Sequence, residues 1–245
     1  MKILLTGSQG FLGSYLFKHL FSKFKIRGQD IKIDFLQNIA RDGYPIKQYD
    51  IIINCAAELF DQDNMITSNV LGVYNLVKYC KERNAKLIHF SSVSIYGNSY
   101  YGLTKKMGED LIRFWNPKDW VILRMTNIYS NQKEHRGGDS PANRIERGET
   151  EIFGTGMHTK DHVAVFDVLQ AVKLAIKDNW TGEVNLASGT SLSINDIFAR
   201  LGVGTPIYLP NKKPDMEVST LDNSRALALG WKLTWDLKND WGLDK

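Results

Sequence analysis

The sequence predicts an α/β protein in which helices cover both faces of a doubly wound parallel sheet. Three observations carry that prediction. Short apolar runs alternate with segments of helical periodicity from the first residues to Arg124. The runs are continuously apolar, as strands covered on both faces are, instead of alternating with polar residues. The first run ends in a glycine-rich turn that leads directly into an amphipathic segment.

Residues 2–6 (KILLT) read as a buried strand stopped by Gly7, after which Phe11, Leu12, Tyr15, Leu16, His19 and Leu20 recur at helical spacing. A weaker strand lies near Lys25–Gly28 and a stronger one at Asp50–Asn54 (DIIIN). A helix over roughly 65–83, a strand at 86–90 (KLIHF), a helix from Tyr101 to Trp115 and a strand at 120–124 (WVILR) complete the alternation. Beyond Arg124 the pattern loosens: 130–151 is polar, glycine-rich and almost without periodicity, as a loop would be. Residues 162–177 (HVAVFDVLQAVKLAIK) read as an apolar helix, 182–188 as a strand, and 193–202 as a short capped helix ended by Gly202. The expected organisation is a sheet domain over 1–128, to which 161–189 return, and a smaller region formed by 129–160 and 190–245.

The chain has 245 residues, 43% hydrophobic and 24% charged, a balance that supports a sizeable core. Its net charge of +4 is spread over single and paired lysines such as Lys105–Lys106 and Lys212–Lys213, so no nucleic-acid partner is expected. Cys55 and Cys80 both sit in apolar stretches and cannot build a disulfide framework or a zinc site; no metal is expected. The N-terminal apolar run stops at Leu5, too short for a signal peptide, and nothing approaches a membrane span. A cytoplasmic protein is expected, with no membrane partner.

Gly7, Gly10 and Gly13 (TGSQGFLG) lie between the first strand and first helix, with spacing G-x-x-G-x-x-G. A helix N-terminus presents free N–H groups and the positive end of its dipole, which suits the pyrophosphate of a dinucleotide. In a Rossmann-type sheet the first glycine turns, the second admits the phosphates and the third lets helix and strand pack closely. Asp30 follows the second strand, where a carboxylate would accept the adenosine ribose hydroxyls and repel a 2′-phosphate. That favours NAD; a solvated loop aspartate is the alternative, and neighbouring Lys32 keeps NADP open.

Residues 91–106 (SSVSIYGNSYYGLTKK) hold two serine–tyrosine clusters and a Tyr-x-x-x-Lys pair, which alone fits a helix start with a solvated lysine equally well. Its context decides. TGSQGFLG, NCAA at 54–57, SSVSIYG at 91–97, YGLTK at 101–105, LRMTNIY at 123–129, DHVAVFDV at 161–168 and NLASG at 185–189 occur in order. Together they resemble the extended short-chain dehydrogenase/reductase family, the branch of nucleotide-sugar epimerases, dehydratases and reductases.

The resemblance implies a catalytic set of Ser92, Tyr101 and Lys105. Tyrosine, with a free pKa near 10, is a weak base; an adjacent lysine and a positive nicotinamide would favour its anion. Spacing of four places Tyr101 and Lys105 on one helix face, while Tyr100 faces elsewhere. The resemblance further implies NAD contacts at Phe11, Leu12, Asp34, Phe35, Cys55, Ala56, Ala57 and Thr126 besides Tyr101 and Lys105, and substrate contacts at Ser92, Asn127 and Lys160. The substrate class it implies is a nucleotide-diphosphate sugar, and the assembly a homodimer through the helices at about 65–83 and 101–115.

The chain departs from the family in particular places. Tyr101 follows Gly97 by only four positions, so Ser92 and Tyr101 meet only if GNSY turns tightly. Ser130 stands where a glycine is usual, and Lys160 replaces an arginine, a point charge in place of a bidentate clamp. Arg136, Arg144 and Arg147 in the shortened loop are candidate phosphate ligands. Dehydratases of the family carry an Asp-Glu pair after the catalytic threonine; here Val93–Ser94 follow Ser92, which leaves epimerisation through a keto sugar or net reduction of one. A dinucleotide binder without turnover is the rival of another class.

Overall fold

The computed structural model describes residues 1–29, 48–130, 132, 138–201, 204–211 and 219–234; Asp30, Lys32, Asp34, Phe35, Arg136 and Lys212–Lys213 lie outside the described residues. Two compact units emerge, Met1–Arg124 with Val172–Val184, and Met125–Ala171 with Asn185–Lys245.

The first unit holds β1 (Lys2–Thr6), α1 (Phe11–Leu20), β2 (Lys25–Gln29), β3 (Ile51–Asn54), α2 (Gln62–Met65), a π-turn (Ile66–Leu71) and α3 (Gly72–Arg83). Then follow β4 (Lys86–Ser92), a 3₁₀ turn (Val93–Tyr96), α4 (Tyr100–Trp115) and β5 (Trp120–Met125). With β9 (Gly182–Leu186) the strands form a six-stranded sheet in the order β2-β1-β3-β4-β5-β9. β1 pairs in parallel with β2 on one side and β3 on the other, so successive crossovers leave β1 in opposite directions. In a doubly wound sheet such a reversal opens a crevice beyond the carboxyl ends of the strands. The fully buried runs Ile3–Leu5 and Ile51–Ile53 explain the continuous apolarity, since both faces are covered. Leu4, Ile52, Leu87 and Ile122 meet Val73, Leu76, Val77 and Ile112 in one core cluster.

The segment predicted as a helix over 65–83 begins earlier, at Gln62, where Asp61 caps it by accepting from the amides of Asp63 and Asn64 at 3.0 and 3.3 Å. Its middle is a π-turn, which no periodicity announces. Asn84, in the left-handed region at φ 54°, ends it.

The second unit includes β6 (Asn127–Tyr129), α5 (Pro141–Glu146), β7 (Glu151–Phe153), β8 (Thr159–Ala164), α6 (Val165–Lys177, whose C-terminal half belongs to the first unit), β10 (Ser191–Ser193), α7 (Ile194–Leu201), β11 (Ile207–Leu209) and α8 (Ser224–Ala228). Two corrections arise here. Residues 162–164 are strand and not helix: β8 pairs in parallel with β6 and antiparallel with β10, and the helix starts only at Val165. The supposed loop at 130–151 contains α5, opened by Ser140, whose hydroxyl accepts from the Asn143 amide, and by proline at the first helical position. Six residues are too few to show a helical period, yet Ala142 and Ile145 are buried with Ile194, Ile197, Phe198 and Leu201. Among the described residues no helix is long and apolar enough to cross a membrane.

Candidate active site

The glycine turn follows β1 and lies beside the end of β3. Gly7 has φ +68°, and a Cβ there would lie 2.7 Å from the Ala56 amide nitrogen; one on Gly13 would lie 1.9 Å from the Gly7 carbonyl oxygen. Both glycines are therefore demanded by the protein's own packing. Gly10 differs: a Cβ there meets only the Gly7 carbonyl, at 3.4 Å. Gly10 is also the N-cap of α1 and gives it no side-chain cap, so no side chain of its own stands at the helix start. Phe11 and Leu12 open this helix and are half-buried. A pyrophosphate-binding dinucleotide fits this cradle: the backbone approaches it, and the space a side chain would fill is open.

Register builds the next layer. Thr6 pairs with Asn54 and Asn54 with His89, which lines three polar side chains across the carboxyl ends of β1 and β3 and the middle of β4. Thr6 Oγ1 donates to Asn54 Oδ1 at 2.7 Å, and Asn54 Nδ2 meets His89 Nδ1 at 3.0 Å. Burial, with the Lys105 cation nearby, holds His89 neutral, far below its usual titration range. Beyond Asn54, the half-buried Cys55 and Ala57 and the buried Ala56 border the glycine turn. Burial pushes the Cys55 thiol upward, so it is a neutral side chain and not a nucleophile.

Ser92 ends β4 and caps the 3₁₀ turn by accepting from the Ser94 amide at 3.1 Å. Ser99 then caps α4, accepting from the Gly102 amide at 3.0 Å. A Cβ on Gly102 would fall 2.0 Å from the Ser94 carbonyl oxygen, so α4 starts in direct contact with the turn. This contact sets Ser92 beside Tyr101 despite the short GNSY linker, while the Ser92 hydroxyl donates to Ser94 Oγ at 3.1 Å. Burial drives the Tyr101 phenol up to about 12, opposed by the neighbouring Ser92 hydroxyl. Lys105 is 3% exposed and donates to the Phe90 carbonyl at 2.6 Å. Burial lowers its pKa to about 8, opposed chiefly by Glu109. Tyr101 and Lys105 share a helix face but no hydrogen bond; Tyr100 is 38% exposed at the helix start.

Two features around this set were not legible as motifs. Asn69, 1% exposed within the π-turn, donates to the Glu58 carbonyl and to Thr104 Oγ1, tying the π-turn to α4. Glu109, 0% exposed, lies one turn beyond Lys105 and is gripped by Arg124 from β5 through Oε1 at 3.0 Å and Oε2 at 2.7 Å. A signal for Glu109 was present: 101, 105 and 109 repeat at intervals of four along one helix face.

The remaining positions belong to the second unit. Thr126 is buried with its hydroxyl on Asp161 Oδ1 at 3.3 Å, and half-buried Asn127 donates to the Asp161 carbonyl at 2.9 Å. Asp161 is fully buried and also accepts from the Ser188 amide and hydroxyl, the Gly189 amide and Thr220. It thereby fastens β8 to the NLASG segment. Lys160 precedes it, half-buried. Arg144 and Arg147 engage Glu149 at 2.7 and 3.1 Å.

The doubly wound sheet and its glycine turn suit a dinucleotide-dependent enzyme of the short-chain dehydrogenase/reductase type. The chain belongs to the NAD dependent epimerase/dehydratase family, whose model matches residues 3–187; it is an extended member, with NAD as its cofactor. It is 26% identical to a putative UDP-glucose 4-epimerase of Methanocaldococcus jannaschii, over 96% of this chain and 94% of the relative. In fold it is similar to UDP-glucose 4-epimerase of Thermotoga maritima, solved with UDP-glucose, at TM-score 0.82 and 22% identity over 97% of this chain and 95% of that one. UDP-glucuronic acid 4-epimerase of Bacillus cereus, solved with UDP-glucuronic acid and NAD, matches at TM-score 0.77 and 24% identity over 97% and 96%.

Proposed function

We propose that this enzyme epimerises a nucleotide-diphosphate sugar through a transient keto intermediate. The observation that carries the proposal is the meeting of Ser92 with Tyr101, which supplies a hydroxyl pair able to share one proton with a substrate oxygen. When bound, NAD accepts a hydride from the sugar carbon and returns it. The chain's own residues handle the proton and the geometry. Ser92 orients the reacting oxygen, Tyr101 takes its proton and later gives it back, and Lys105 supplies the positive charge that favours tyrosinate. Without cofactor, burial keeps the Tyr101 proton in place, so an added positive charge is what makes this phenol a base at neutral pH. Asn127 and Lys160 are assigned to the substrate by the family resemblance, as Thr126 is to the cofactor.

The test begins with protein purified without added cofactor, denatured, and assayed for released dinucleotide by chromatography. An epimerase that recycles its cofactor yields near-stoichiometric NAD, and it interconverts UDP-glucose or UDP-glucuronic acid with the 4-epimer. Little NAD, together with consumption of NADH or NADPH on a keto sugar, would make it a reductase. Failure to bind any dinucleotide would sink both readings.

A homodimer is part of the proposal. Leu103, Met107 and Phe114 are 52%, 37% and 83% exposed and recur along one side of α4, with Leu71 at 45% on the neighbouring π-turn. A two-fold axis would cover this stripe with its own copy. A monomeric mass by light scattering would remove the dimer.

A further inference from the structure

The cluster behind Lys105 does more than hold the core together. Glu109 is fully buried, yet it is seven residues past the Gly102–Ser94 contact and four past Lys105, on the face that carries Tyr101. Arg124 grips it with two nitrogens, and Arg113 adds a bond to Oε2 at 2.6 Å. Glu183 on β9 bridges the same two arginines at 2.9 and 2.7 Å. Arg124 also reaches the other half of the reactive set: its Nη1 donates to the Tyr96 hydroxyl at 3.0 Å, and its guanidinium lies 5.5 Å from the Tyr96 ring centroid. Tyr96 is the last residue of the 3₁₀ turn that Ser92 caps.

We propose that Glu109, clasped by Arg124, is a positioning residue for the Ser92–Tyr101–Lys105 set. The pair forms a strut from the middle of α4 through β5 to the turn that carries Ser92. This inference rests on the catalytic reading given above. A bidentate guanidinium–carboxylate pair fixes angle as well as distance, and here the two ends it fixes are those whose hydroxyls must meet. The strut also has an electrical role. Lys105 is faced by Cys55 from the end of β3, His89 from β4, and Tyr101 and Glu109 from its own helix. Cys55 and His89 are neutral, so Glu109 is the carboxylate that keeps the buried ammonium charged.

Two variants separate positioning from mere support, and each is read with and without turnover. Lys105 is followed by NMR of ε-13C-lysine protein, its resonance assigned with Lys105→Met. In Glu109→Gln the titration midpoint of Lys105 drops by about one pH unit, the alkaline limb of kcat moves down with it, and kcat falls about 10- to 100-fold with KM little changed. Tyr96→Phe, at an exposed residue, leaves the Lys105 midpoint in place and lowers kcat about 3- to 10-fold. Bound NAD is unchanged in both. If Glu109→Gln does not fold, Arg124→Lys takes its place, since it keeps the charge and loses the clasp. An unmoved Lys105 midpoint together with parental kcat in these variants overturns the proposal, whatever happens to the melting temperature. Should the parent turn over no nucleotide sugar, the catalytic reading fails by itself, and the Lys105 midpoint still decides whether Glu109 governs that charge.

Discussion

Gly102→Ala tests whether the start of α4 sets the chemistry. The new Cβ would stand 2.0 Å from the Ser94 carbonyl oxygen, 2.8 Å from its carbon and 3.0 Å from Ser99 Oγ. A carbon and a carbonyl oxygen settle at about 3.3 Å, so helix and turn must part by about 1.3 Å. Backbone lies on both sides, and no rotamer change relieves it. Two stability effects then oppose each other: alanine gains about 1 kcal/mol over glycine within a helix, whereas overpacking costs about 1–3 kcal/mol. The net loss is at most about 2 kcal/mol, and the protein stays folded. Activity responds differently, because the displacement falls on the approach of Ser92 to Tyr101. A shift of about 1 Å at reacting groups costs about 100-fold. The assay compares kcat on UDP-glucose or UDP-glucuronic acid, bound NAD after denaturation, and thermal midpoint, parent against variant. The expected result is a kcat lowered about 100-fold, with full NAD content and a midpoint within about 8 °C. A variant with kcat within threefold of the parent would refute the argument that this contact sets the active geometry.

Other outcomes follow from the same structure. Tyr101→Phe should lower kcat by more than about 1,000-fold while NAD stays bound; parental turnover would exclude Tyr101 as the acid–base group. Lys105→Met should abolish turnover yet raise stability at neutral pH by on the order of 3 kcal/mol, since burial of the ammonium, whose pKa is lowered to about 8, is relieved. The sign is checkable in the parent: the unfolded chain keeps this proton to about 10.4 and the folded one releases it near 8, so the Lys105 contribution makes stability rise with pH between those values. Denaturant midpoints across that window, parent against Lys105→Met, should differ in slope. His162, lowered to about 4 by burial, and His89, also lowered well below its usual range by burial, work at the acid end. Below about pH 6.5 the unfolded chain binds protons that the folded one refuses, so stability falls as pH falls, each histidine contributing about 1.4 kcal/mol per pH unit. Asp161, raised by burial, acts in the opposite sense. His162→Gln should flatten the slope by one histidine's share; an unchanged slope would show that His162 takes up protons in the folded state.

Much of this enzyme is written locally. KILLT, DIIIN, KLIHF and WVILR carry unalternating apolar centres because a doubly wound sheet buries both faces of its inner strands, and that burial is visible residue by residue. Gly7 and Gly13 carry their own reason in sequence, a turn and a close packing that tolerate no Cβ. The pair Tyr101 and Lys105 is legible because four residues make a little more than one helical turn.

What tertiary structure decided lies at short elements and in contacts between residues distant along the chain. Strands of three residues such as β6, β7, β10 and β11 are below the length at which alternation can be seen, and α5 is below one clear helical repeat. They exist because partner strands and a shared apolar cluster hold them, which no local propensity encodes. Whether Ser92 could reach Tyr101 across GNSY depended on a missing Cβ at Gly102 fitting against the Ser94 carbonyl, eight residues earlier. Nothing in sequence sets Glu109 apart from other helix carboxylates except its interval of four from Lys105; its partner Arg124, fifteen residues on, comes to it from β5. A sequence records which side chains a helix turns to one face; only the folded sheet brings up the strand that gives that face a partner, because the partner is chosen by topology and not by spacing.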